Sequence, residues 1–180
     1  SGHSGTAGVY EVLARLSLHG WTAVPTPGNT KGFDIVACKK VGNKMLTRLI
    51  EVKSRHRKQP VNSQFWGKSL IWTMHQKHEY ALKGVWYAFV NFEGKFEGQT
   101  GQKLSSEIGR TTIYLATSKQ VAKFARESHP MWVHAKVGHK DTSMRYFCLG
   151  FQTCKYQFKS ILYAKNCYER WDLLEKEEKI

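Results

Sequence analysis

The stretch GFDIVACKKVGNKMLTRLIEVKSR, residues 32–55, decides the fold. Two apolar runs, Phe33–Lys39 and Met45–Ser54, flank Gly42-Asn43, a dipeptide that signals a tight hairpin. Asp34 heads the first run, and Glu51 and Lys53 close the second. Charges in or near a core are costly unless they are paired or used. Side chains two apart on a strand share a face. Glu51 and Lys53 therefore point one way, while Ile50 and Val52 point into the core. The hairpin brings Asp34 alongside them.

Outward from this hairpin the chain reads as alternating elements. GVYEVLARLSLHGW carries Val9, Val12, Leu13 and Leu16 at helical spacing, with Ser4 or Thr6 as cap and Gly20 as stop. Trp21–Val24 is a short strand closed by Pro25 and Pro27. After the hairpin, a second helix is expected over Ser63–Lys83, ended by Gly84. VWYAFVNF is a buried strand, NFEGKFEGQTGQK a glycine-rich loop, and TTIYLAT another buried strand. Ser118 or Thr117 caps a helix to about Arg126, with Pro130 beyond its end. Met131–Phe158 reads as two or three strands, and Tyr163–Glu178 as a closing helix with Tyr168, Trp171 and Leu174 on one face. The expectation is an α/β fold in one domain, residues 1–180, with a core over about 6–128 and an accessory region over about 131–180.

Composition narrows the class. The 180 residues are 41% hydrophobic and 13% aromatic, enough for a packed core. Lys and Arg number 28 against 14 acidic residues, a formal net charge of +14. Such an excess suits a polyanionic partner, and nucleic acid above all, because phosphate contacts release counterions. There is no run of about 18 apolar residues, hence no expected membrane span. Cys38, Cys148, Cys154 and Cys167 form no C-x-x-C pair and read as reduced thiols of a cytoplasmic protein. A metal site from Cys148, Cys154 and Cys167 has the wrong spacing for a zinc framework.

Two carboxylates on adjacent strands make an oxygen-rich place for a hard divalent cation such as Mg²⁺, and the Val52 carbonyl can add a third ligand. A lysine beside that cation can orient a water and offset phosphate charge. Together these suit phosphodiester hydrolysis. E-x-K also arises on ordinary exposed strands, so its context decides. Here Asp34 follows a glycine-rich loop, and Glu51 and Lys53 end an apolar strand.

In these residues and in the order of its elements, the chain resembles the PD-(D/E)XK nuclease superfamily, with its restriction-endonuclease-like fold. Asp34, Glu51 and Lys53 match the motif across a gap of 16 residues, although Phe33 stands where the family has proline. The resemblance covers about residues 8–91, and up to 128 at its widest. It implies a helix, a three-stranded meander, a helix and further strands, and Mg²⁺ as cofactor, with Mn²⁺ able to substitute. Asp34, Glu51 and Lys53 would be catalytic, and Asp34, Glu51 and Val52 would hold the metal. It also suggests Glu11, on the first helix, as a metal support, and Gln76 as a catalytic residue on the second. Each also reads as a solvated helix face.

The run RHRK after Lys53 offers Arg55, Arg57 and Lys58 to DNA phosphates, and Lys77 flanks Gln76. Phe65, Trp66 and Trp72 read as core. His75 and His78 read as rim groups. The expected function is a DNA endonuclease of restriction type, working as a homodimer because double-strand cleavage needs two active sites. The alternatives are a junction-resolving or repair nuclease, an RNA-cleaving relative, and a non-catalytic DNA-binding module on the same fold.

Overall fold

The computed structural model describes residues 2–27, 32–56, 61–63, 65–97, 103–135, 137–151, 160 and 162–176. Its helices are α1 (Gly2–Leu18), α2 (Ser118–His134) and α3 (Ala164–Cys167). Its strands are β1 (Thr22–Pro25), β2 (Ile35–Val41), β3 (Lys44–His56), β4 (Val61–Ser63), β5 (Gly67–His75), β6 (Val85–Glu97), β7 (Lys103–Thr117), β8 (Met144–Gly150) and β9 (Leu162–Tyr163). The fold is mixed α/β with two sheets. The chain divides into two compact units, the first from residues 1–58, 84–115 and 168–180, the second from 59–83 and 116–167.

The first unit is built on a sheet of order β1-β2-β3-β6-β7. Strands β1, β2 and β3 form the expected antiparallel meander. Gly42 is the first of two residues between paired Val41 and Lys44, and its φ of 59° has the sign a two-residue turn of type II′ needs there. Strand β6 then pairs parallel to β3.

Helix α1 lies on this sheet through a stripe of Gly8, Val12 and Leu16, all buried. It begins at Gly2, ahead of the expected caps Ser4 and Thr6. Val12, Leu16, Trp21, Ile35, Ile50, Val52, Trp86 and Ala88 form the core, joined by Trp171 and Leu174 from a 3₁₀ turn, Trp171–Glu175. Arg48 fastens that turn by donating to the carbonyls of Leu174 at 2.7 Å and Lys176 at 3.0 Å. The expected long closing helix is replaced by this turn and the four-residue α3.

The second unit holds the main departure from the sequence reading. Where a helix was expected over residues 63–83, the chain forms β4, β5 and a 3₁₀ turn, Gln76–Glu79. Leu70, Trp72 and Met74 are buried at alternate positions, the period of a strand. They pair with β8 in a sheet of order β4-β5-β8-β9. Helix α2 covers this sheet, with Phe124 edge-on to Phe147 at 5.4 Å. Its N-terminus is a capping box between Thr117 and Gln120, as the reading of Thr117 expected. The helix runs on through Pro130 to His134 instead of ending before it. It does so without the backbone bond that proline cannot donate. Met131–His134 is therefore helix, and β8 and β9 are the strands found beyond it. Where a glycine-rich loop was expected from Asn91, β6 continues to Glu97 and β7 begins at Lys103, and residues 98–102 lie outside the described residues.

Trp66 and Trp72 are buried, as expected of core aromatics. Among the described residues, Cys38, Cys148 and Cys167 form no disulfide, and Cys154 lies outside the described residues. Among the described residues, no helix is long and apolar enough to cross a membrane.

Candidate active site

Asp34 sits just before β2 and is held at three points. Its N–H donates to the Ile50 carbonyl at 2.8 Å, and its carbonyl accepts from Thr26 N–H at 2.8 Å. Its carboxylate Oδ2 accepts from Val52 N–H at 2.7 Å. The residue thus spans Glu51, with its backbone bonded to residue 50 and its side chain to residue 52. Strand β2 pairs with β3 only as far as Ile50, so the Asp34 side chain takes over where the ladder ends. The N–H and C=O of a strand residue leave on the same edge. The Val52 carbonyl therefore opens on the side where Asp34 stands, and Oδ1 of Asp34 is left for a further ligand.

Along β3 the faces separate as the alternation predicts. Ile50 and Val52 enter the core. Glu51, only 5% exposed, and Lys53 share the other face, with Lys53 Nζ donating to Glu51 Oε1 at 2.5 Å. The lysine is the more accessible partner, at 24% of its side chain. A buried carboxylate needs such donors to offset its lost hydration.

A second donor to Glu51 was not foreseen. Tyr87 lies directly across from Glu51 in the parallel pairing of β3 with β6. It is buried, and its hydroxyl bonds the Glu51 carboxylate. Burial, then the charge of Glu51 and the bond to it, push the Tyr87 phenol far above its ordinary range. It therefore stays protonated and keeps donating. The sequence did contain a signal: Tyr87 is a phenol inside an apolar run, and a buried tyrosine hydroxyl usually finds a partner.

The donor set fits a hard divalent cation. Among the described residues, no three of His, Cys, Asp and Glu gather into a metal-binding group. What the site offers is two carboxylates and a carbonyl. That suits Mg²⁺, which binds through one or two carboxylates and fills its remaining positions with water and substrate phosphate.

The other expected residues stand as follows. Glu11 is on α1, partly buried, and its carboxylate pairs with Arg15 at 3.2 Å. Gln76 and Lys77 are exposed in the second unit, on a 3₁₀ turn and not on the expected helix. Arg55 is 8% exposed and pairs across the sheet with Asn91. It is not the solvent-facing phosphate contact that its place after Lys53 suggested, because β3 runs on through it to His56. Arg57 and Lys58 lie outside the described residues. His78 is buried, and the exposed His75 accepts from Lys77 N–H at 3.2 Å. The constellation that the first unit brings together is thus Asp34, Glu51, Val52 and Lys53, with Tyr87 added.

No family model matches this chain. No curated protein matches it either. Among solved structures it is similar to "a bacterial homing endonuclease", I-Ssp6803I, with 14% sequence identity and a TM-score of 0.41 over 95% of this chain and 89% of that one.

Proposed function

We propose that this chain is a metal-dependent DNA endonuclease, with Asp34, Glu51 and the Val52 carbonyl holding Mg²⁺ and Lys53 facing the phosphate. The observation that carries the reading is the meeting of three polar groups beside one strand, β3. A buried carboxylate, a lysine paired to it and a second carboxylate bonded to the next residue have come together at the end of an apolar ladder. A divalent cation, when bound, supplies Lewis acidity toward a phosphate oxygen and a water. Lys53 orients that water or neutralises phosphate charge once it turns from Glu51. Asp34, locked by its backbone and side-chain bonds, keeps one oxygen on station. The net charge of +14 supports a polyanionic substrate. Within this class we favour restriction-type cleavage of both strands by a homodimer, with Mn²⁺ able to replace Mg²⁺ and Glu11 in support. Arg57 and Lys58 would supply phosphate contacts.

The test is incubation of supercoiled plasmid and of a synthetic four-way junction with Mg²⁺ or EDTA, using the wild type and the Glu51→Gln and Lys53→Ala variants. Mg²⁺-dependent cutting lost in both variants is expected. Discrete plasmid bands support restriction, and junction-only cutting supports a structure-specific nuclease. Cutting that survives EDTA or Lys53→Ala would sink the metal-nuclease reading. Binding without cutting under any divalent metal would leave a DNA-binding module.

A further inference from the structure

We infer that Tyr87 is a positioning residue for the Glu51 carboxylate, an inference that rests on the metal-site reading above. Glu51 has two donors of different kinds. Lys53 is long, flexible and partly exposed, and it carries a charge that cancels the carboxylate's own. Were Lys53 the sole donor, Glu51 would be freed to swing whenever the lysine turned to a phosphate. Tyr87 has the opposite properties. Its ring is 1% exposed and stacks on Phe89 at 5.7 Å and 14°. Its backbone is fixed to β3 in register with Glu51 itself. Facing residues of paired strands project to the same side of the sheet, so the phenol meets the carboxylate without rearrangement. A neutral hydroxyl also steadies a carboxylate without removing the negative charge that a cation needs. Partners of this kind orient metal ligands, and their loss typically lowers metal affinity about 10- to 100-fold.

The experiment measures Mn²⁺ binding to the full chain by electron paramagnetic resonance, alongside thermal melting, for five proteins. These are the wild type, Tyr87→Phe, Phe89→Leu, Glu51→Ala and the Tyr87→Phe/Glu51→Ala double variant. Tyr87→Phe keeps the ring and removes only the hydroxyl. Its Mn²⁺ Kd is expected to rise about tenfold with little change in melting. In the Glu51→Ala background the same change should add nothing, which a merely structural role would not produce. Phe89→Leu disturbs the same aromatic stack without touching Glu51, and it should leave the Kd within about twofold, well short of that tenfold loss. An unchanged Kd in Tyr87→Phe, with binding lost in Glu51→Ala, overturns this inference and leaves the nuclease reading standing. An equal loss in Phe89→Leu also overturns it. A wild type that binds no Mn²⁺, or a Glu51→Ala protein that binds normally, overturns both.

Discussion

Replacing Gly8 with alanine tests how α1 seats on the strand that carries the candidate site. In an ordinary solvated helix this change stabilises by about 1 kcal/mol. Gly8 is different, because a Cβ built there stands 1.8 Å from Ser54 Oγ, 3.1 Å from Ser54 Cβ and 3.4 Å from Val52 Cγ1. The Oγ contact is the severe one, because a buried hydroxyl must be displaced, whereas the Cβ contact asks for a shift of only a few tenths of an ångström. The helix or β3 must then shift, and overpacking of this kind costs about 1–3 kcal/mol. Gly8→Ala is therefore expected to destabilise by about 1 kcal/mol after its propensity gain is subtracted. Ser54 Oγ is buried with no hydrogen-bond partner among the described residues. Its removal forfeits no bond, and Ser54→Ala alone should be close to neutral. In the Ser54→Ala background the cost of Gly8→Ala should shrink, giving a coupling of about 1 kcal/mol between the two sites. Urea denaturation of the four proteins of this cycle measures it, with midpoints compared at constant slope. A Gly8→Ala protein more stable than wild type, or a cost unchanged by Ser54→Ala, would refute the close seating of α1 on β3.

Other measurements probe the rest of the molecule. In the second unit, buried Arg145 donates to Glu79, so Glu79→Ala should destabilise by about 3–5 kcal/mol in denaturant, as truncating one partner of a buried pair does. Thr117→Ala removes the cap of α2 and should cost about 1 kcal/mol by the same assay. His56 stacks on Phe92 at 4.9 Å, and burial lowers its pKa below the ordinary histidine value. The unfolded chain therefore binds this proton more readily. The stability contribution of His56 is complete above about pH 6.5 and fades as pH falls through that value toward the folded pKa. His56→Phe should flatten the dependence of unfolding free energy on pH just below about 6.5, and an unchanged slope would rule this contribution out.

The first unit was legible because its elements obey simple periods. Ile50 and Val52 alternate with Glu51 and Lys53, Gly42 marks the turn, and Val12 and Leu16 repeat at helical spacing. The second unit was misread at residues 63–83. There Leu70, Met74 and His78 fall four apart and imitate a helix face. Leu70, Trp72 and Met74 fall two apart, and the pairing of β5 with β8 selects that period. Local pattern could not reveal it, because β8 lies about 75 residues along the chain from β5. The site was legible to the extent that one hairpin holds it. Tyr87 was hidden because it enters through a strand that reads as uniformly buried. Arg55 was misassigned for the reverse reason, since a basic run looks like a solvated loop until a neighbouring strand extends over part of it.

The 3₁₀ turn fastened by Arg48 bears on how the molecule comes into being. Trp171 and Leu174 complete the core beneath β3, yet they emerge from the ribosome long after Asp34, Glu51 and Lys53. The unit that carries the candidate site therefore cannot close its interior until that turn has been synthesised. Every nascent chain must hold an open apolar seat for these two side chains until then. Docking that turn is then a late step, and it sets the moment from which the first unit can be whole.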